Sequence, residues 1–405
     1  MSARSPECRQ PSTRLLGLDL FRAVAVFGML VAHVGPSAWT PGEAFGTVHW
    51  EWEVFHSRMP AMFAFAAGLS LNLGRSRENG STQPAAIPTL IRATLLAVCG
   101  LLLISLGTPV VVILVSFSVW FVLVLPFRRL GVRALLILTA AWTIAGPALS
   151  FLLRQSTALP DDMLSNELVG GDYPALTWMP YVLAGLAVGR LDLSSPQVRL
   201  RLAGVGAALM SVGYAVSGFL FADGLTARIM ESISPQKGFS VEQQFARMFF
   251  GESGVTPTGS WMWLLVPAPH SGSWADVIGC LGVCALTLAV LLPCGDLGRW
   301  AGNARCWIKR TVGRLILFVT PLGAMVLSVY AAHIVAMATI HATTGHSFRG
   351  AQSEYMLAAF TGGLLVFSWL WMRRFRYGPL EWLLGKATAA IERMGKRVSA
   401  GLSRR

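Results

Sequence analysis

The feature that most constrains this chain is its run of apolar stretches, each about 20 residues long and each bounded by polar or basic loops. A bilayer core takes roughly 20 helical residues to cross. Only helices and closed barrels satisfy their backbone groups inside it. Ten stretches are read, at about 14–36, 54–74, 87–107, 109–126, 132–153, 173–190, 199–221, 274–293, 316–340 and 354–372. The expected fold is all-α: a polytopic integral membrane helix bundle with about ten transmembrane helices. Charged residues make up only 13% of the chain, about half their share in soluble domains. The third and fourth stretches are parted only at Gly107-Thr108-Pro109, where proline cannot continue the helix before it.

Charge placement sets the orientation. With the N-terminus inside, 26 of the 33 Lys and Arg residues fall on the inner side, six fall outside, and Arg22 lies within the first span. This is a positive-inside pattern with both termini cytoplasmic. Dispersed between spans, the basic residues are a topology signal and argue against nucleic acid as a partner. The first span has no small-residue cleavage site, so it is expected to remain as a helix. The expected organisation is a cytoplasmic tail over 1–13, one transmembrane bundle over 14–378 and an amphipathic basic tail over 379–405. Within the bundle, 14–221 carries helices 1–7, 222–273 is a long extracytoplasmic loop, and 274–378 carries helices 8–10. The VEQQFARMFFGESG stretch of that loop is amphipathic and suits a membrane surface. None of the six cysteines falls in a loop placed outside, so neither a disulfide nor a metal cluster is expected.

Ionisable groups inside a membrane are costly and mark candidate sites. The first span holds Asp19 and Arg22 near its start and His33 near its end. Asp19 and Arg22 read equally as a structural ion pair. All seven histidines, His33, His49, His56, His270, His333, His341 and His346, fall in the outer half or the outer loops. Histidine suits proton transfer near neutral pH, and no pair has tight zinc-ligand spacing. There is no nucleophile elbow, Walker motif or dinucleotide fingerprint.

The opening LDLFRAVAVFGMLVAHVG resembles that of the bacterial relatives of heparan-alpha-glucosaminide N-acetyltransferase, and FAFAAGLSL resembles that family's second helix. Later segments resemble the DUF418, or YeiB-like, family of membrane proteins. They are YPALTWMPYVLAGLAVGRLDL, PHSGS, PLGAMVLSVYAAHI and FRYGPLEWLL. Two departures stand out: Ala23 replaces the usual glycine of the opening, and VVVILVSFSVWF lacks the acid that often precedes the fourth span. The resemblance implies a transmembrane acyltransferase in a plasma membrane, with a bacterial source. It would take acetyl-CoA as co-substrate and acylate an extracytoplasmic sugar or glycan-like acceptor; the histidine and cysteine placement gives no reason to expect a metal. It implies a catalytic histidine in an outer loop. His49 matches by place, with His56 as its rival and His33 in reserve. Arg14, Arg22, Arg75, Arg77, Arg128 and Arg129 are candidates for the phosphates of CoA. Asp19, Trp50, Trp178, His270, Ser271, Tyr330 and His333 are candidates for lining the acceptor side. Membrane lipid is the expected surrounding partner, and a homodimer is left open. The alternative is a transporter of a small solute or lipid precursor, with intramembrane His and Asp as a proton relay. No matched pair of broken spans supports it.

Overall fold

The computed structural model describes residues 15–40, 42, 45–73, 86–156, 159–222, 224–233, 238, 240–250, 254–300, 307–345, 347–348 and 353–402. The chain begins with α1 (Leu16–Val34), a hairpin of β1 (Trp39–Thr40) and β2 (Thr47–Val48), α2 (Trp50–Glu53) and α3 (Arg58–Leu73). It continues with α4 (Ala86–Ile104), α5 (Leu114–Leu123), α6 (Val132–Ser156), α7 (Met163–Ser165), α8 (Ala175–Val188), α9 (Pro196–Ala222), α10 (Leu225–Glu231) and α11 (Val241–Phe250). The last helices are α12 (Trp274–Trp300), α13 (Trp307–Ala324), α14 (Val326–Thr344), α15 (Glu354–Arg374) and α16 (Pro379–Leu402).

Among the described residues the fold is all-α apart from a two-stranded antiparallel hairpin, in which Trp39 faces Val48. Among the described residues, six helices, α1, α4, α6, α12, α14 and α15, are long and apolar enough to cross a membrane. The stretches read at 109–126 and 173–190 form shorter apolar helices, α5 of 10 residues and α8 of 14. Between α4 and α5 the chain leaves the helix for Ser105–Ile113. The stretch read as one span at 316–340 is two helices meeting at Met325. Pro321 lies near the end of α13 and has no N–H to donate. The break persists because a carboxylate from α16 satisfies the exposed start of α14, as described below.

The core runs through α1, α3, α8 and α12, where Phe21, Val26, Leu30, Met62, Leu69, Val182, Leu186 and Leu288 are fully buried. Without a hydrophobic drive between helices in lipid, close backbone approach supplies the packing. A Cβ on Gly68 of α3 would strike the backbone of Val182, and one on Gly185 of α8 that of Phe65, so these helices cross nearly backbone to backbone. The described residues of 222–273 pack on one another. Ile229, Phe245, Trp263 and Val266 form a small core of their own. The amphipathic α11 uses its apolar side on protein, with Phe245 edge-on to Phe45 and Phe250 stacked on Trp39.

Candidate functional site

Helix α1 connects two ends of the bundle, Asp19 and Arg22 near one and His33 near the other. Near the histidine end lies a cavity of about 340 Å³ lined by His33, Asp172, Tyr173, His270 and Tyr330, with the irregular Pro109–Ile113 strip as one wall. Non-helical backbone is tolerated at membrane depth where it lines such a cavity. His33 Nδ1 lies 3.0 Å from Nε2 of His333, and the two rings stack at 5.2 Å. His333 is fully buried on α14 and stands behind His33. One turn away, the Tyr330 hydroxyl accepts from the Ile113 N–H at 3.2 Å.

His270 has φ +54°, a left-handed conformation rare outside glycine. The surrounding Pro269–Ser273 turn explains how it is held. Ser273 Oγ donates to the Val266 carbonyl at 2.6 Å and accepts from the Asp276 N–H at 3.0 Å, which caps α12. Ser271 Oγ accepts from the Ser273 N–H, so Ser271 serves the turn and is not part of the cavity wall.

At the other end, a second cavity of about 290 Å³ is lined by Arg22, Leu96, Phe117, Gly323 and Glu381. Phe63, Ile113 and Tyr330 line both cavities. Arg22 bridges Asp19 at 3.5 Å and donates to Ser70 Oγ at 2.5 Å. Glu381 Oε1 accepts from the N–H groups of Leu327 (2.8 Å) and Ser328 (3.2 Å), and Oε2 from the Ser328 hydroxyl. The two amides are among the orphan donors at the start of α14.

Two smaller chambers adjoin the first cavity. One, of about 140 Å³, shares Ala32 and is lined by Ser37, Trp39, Glu53 and His56. Its floor is pinned by Arg58, which donates to the carbonyls of Glu53 (2.8 Å) and His56 (3.0 Å). Ser57, at φ +62°, donates to Asp276 at 2.7 Å. The other shares Val111, Asp172 and Tyr173 and adds Ser116, Asn166 and Glu167. Burial pushes the Glu167 carboxyl above the usual carboxylate range, a hydrogen bond from Ser116 opposes that, and nearby Asp172 adds to it.

The structure thus brings together His33, His270, Tyr330 and His333, and places Arg22 at the other cavity, with Asp19 beside it. His56 is buried in the side chamber. His49 lies apart from these cavities, at the start of α2. Its Nδ1 is 3.8 Å from Glu51 and its Nε2 3.4 Å from Thr40 Oγ1. Trp50 is 72% exposed. Trp178 is a core ring, stacked on Trp120 at 5.8 Å and 6.3 Å from His270. Arg128 and Arg129 sit in the turn after α5, where the Arg128 carbonyl accepts from Arg190. Arg14, Arg75 and Arg77 lie outside the described residues. Among the described residues, no group of three metal-ligating side chains is assembled.

Asp172, Tyr173, Glu381 and the Pro109–Ile113 wall were not singled out by sequence reasoning. Tyr173 and Glu381 do lie in the YPALTW and FRYGPLEWLL stretches. The wall was signalled only by Pro109.

Comparison with known families places the description Heparan-alpha-glucosaminide N-acetyltransferase, catalytic, on residues 14–218, just over half of the chain. A second description, Protein of unknown function (DUF418), falls on residues 243–390. Comparison with curated proteins and with solved structures gave no match. The first match covers α1 to most of α9 and so includes His33, Arg22 and the cavity wall at Pro109–Ile113, while the second supplies His270, Tyr330, His333 and Glu381. On this evidence the chain belongs to the heparan-alpha-glucosaminide N-acetyltransferase catalytic family, a membrane acetyltransferase family, and carries a DUF418 segment that completes the same cavities.

Proposed function

We propose that the protein moves an acetyl group from acetyl-CoA on the cytoplasmic side to a sugar or glycan-like acceptor on the other side of the plasma membrane. The observation that carries this reading is that two cavities, one at the Arg22 end and one at the His33 end, meet across Phe63, Ile113 and Tyr330. A thioester on a long thin arm fits that arrangement, because its bulky anionic end stays behind while its acyl end advances. Arg22 provides fixed positive charge at the entry, though part of it is spent on Asp19.

His33 is the preferred base. When His33 Nδ1–H donates to His333 Nε2, the lone pair of His33 is on Nε2 and available for proton transfer. The acceptor hydroxyl or amine then attacks the thioester carbonyl as His33 takes its proton. Collapse of the tetrahedral intermediate breaks the C–S bond, and the proton passes to the departing CoA sulfur. Tyr330 accepts a hydrogen bond from Ile113 and keeps its own O–H to donate toward the developing oxyanion. His49 keeps the outer-loop place that the family resemblance implies, but it borders none of these cavities, which is why His33 is preferred.

The test is transfer of radiolabelled acetyl from acetyl-CoA to glucosamine in membranes, with binding followed by calorimetry. Removing a general base costs about 10²–10⁴ in rate. His33→Ala is expected to lose transfer on that scale while still binding acetyl-CoA, and His49→Ala to lose far less. The reverse order would move the role to His49, and a wild-type protein that does not bind acetyl-CoA would end the reading.

A further inference from the structure

Four residues separate the end of α15 from the start of α16, so α16 starts at a membrane boundary. It then lies across α4 and α14. Leu380, Glu381, Leu384 and Thr388 recur at helical spacing on the side facing the bundle, and Thr388 is buried there. The opposite side is exposed and mixes large apolar with basic side chains. Trp382, Leu383 and Met394 are each more than half exposed. Lys386 and Arg393 are exposed beside them, with the Lys386 ammonium 5.7 Å from the Trp382 ring centre. From Arg373 to the C-terminus the chain carries nine basic residues against two acidic ones. A face of apolar and basic side chains, held at a bilayer boundary, fits an anionic lipid surface: the apolar groups enter the acyl boundary and the basic groups meet the headgroups. No protein partner is needed to cover it.

The attachment of this helix gives the contact a consequence. Glu381 holds the first amides of α14 and also lines the Arg22 cavity. We propose that α16 is a surface arm that binds anionic phospholipid through Lys386 and Arg393, with Trp382, Leu383 and Met394 inserted, and that Glu381 transmits this binding to the α13–α14 break at the mouth of the Arg22 cavity. The inference stands apart from the acyl-transfer reading, since it concerns lipid binding and a backbone contact.

Hydrogen exchange on the full chain in lipid nanodiscs tests it without any acetyl donor. Discs of phosphatidylcholine are compared with discs also containing phosphatidylglycerol. Two basic residues near an anionic surface give on the order of tenfold tighter seating after screening. Amides over 382–394 are therefore expected to exchange roughly tenfold more slowly in the anionic discs, and those of Leu327 and Ser328 to slow with them. The Lys386→Glu, Arg393→Glu double variant should lose the lipid dependence while α1 exchanges as before. Glu381→Gln should keep it over 382–394 but lose it at Leu327 and Ser328. Equal exchange over 382–394 in the two lipids, seen in the unaltered protein, would overturn the surface arm. A lipid response there that leaves Leu327 and Ser328 unmoved would overturn the link to the cavity.

Discussion

Replacing Glu381 by alanine is expected to be among the most destabilising single changes outside the apolar core. Its carboxylate accepts three hydrogen bonds, from the N–H groups of Leu327 and Ser328 and from the Ser328 hydroxyl, and that hydroxyl also accepts from the Leu380 N–H. Hydrogen bonds to a charged group are worth about 1.5–3 kcal/mol each. The site opens onto a cavity where water can replace part of what is lost, so the sum is discounted to about 2–4 kcal/mol, the upper part of that range exceeding a simple N-cap deletion. Glutamine keeps one carbonyl oxygen for the two amides but turns an NH₂ toward Ser328 and gives up the charge, for an expected loss of about 1–2 kcal/mol. The measurement is SDS-titrated unfolding of the purified protein followed by far-ultraviolet circular dichroism. An alanine variant within about 0.5 kcal/mol of wild type, the range of ordinary surface substitutions, would refute the reasoning. It would mean that the break at Met325 is satisfied by water and does not depend on α16.

Other outcomes follow from single sites. Gly323→Ala would drive a Cβ into the backbone of Asp19 and Ala23, so α13 must move off α1, with an expected loss of about 1–3 kcal/mol in the same titration. Because burial raises the Glu167 carboxyl, the folded state binds the proton more tightly than the unfolded state. That contribution to stability is present below the unfolded carboxylate range and is lost as pH rises through the folded value. Glu167→Gln should flatten this fall between acidic and neutral pH, and an unchanged profile would remove Glu167 as its source. For orientation, in a variant cleared of native cysteines an impermeant thiol reagent on intact cells should label Asp161→Cys and fail at Ser194→Cys. Labelling at 194 would reverse the sidedness on which the cytoplasmic entry of acetyl-CoA rests.

The sequence by itself determined the class of protein. Hydrophobic length and charge add up along the chain, so membrane-crossing helices and the clustering of basic residues between them needed no tertiary information. The family was also legible, because LDLFRAVAVFGMLVAHVG and FRYGPLEWLL are local strings. Other features were decided only in three dimensions. The His33–His333 pair joins residues 300 positions apart, and periodicity says which residues share a helix face but not which face of another helix they meet. The break at Met325 reads as continuous apolar sequence, since what holds it open is a carboxylate 53 or 54 residues away. By sequence place His49 is the preferred base, with His56 its rival and His33 in reserve. Folding leaves His49 at the start of α2 beside Glu51 and sets His33 into a cavity wall, because helix crossing and depth, not residue type, fix which imidazole lines a cavity.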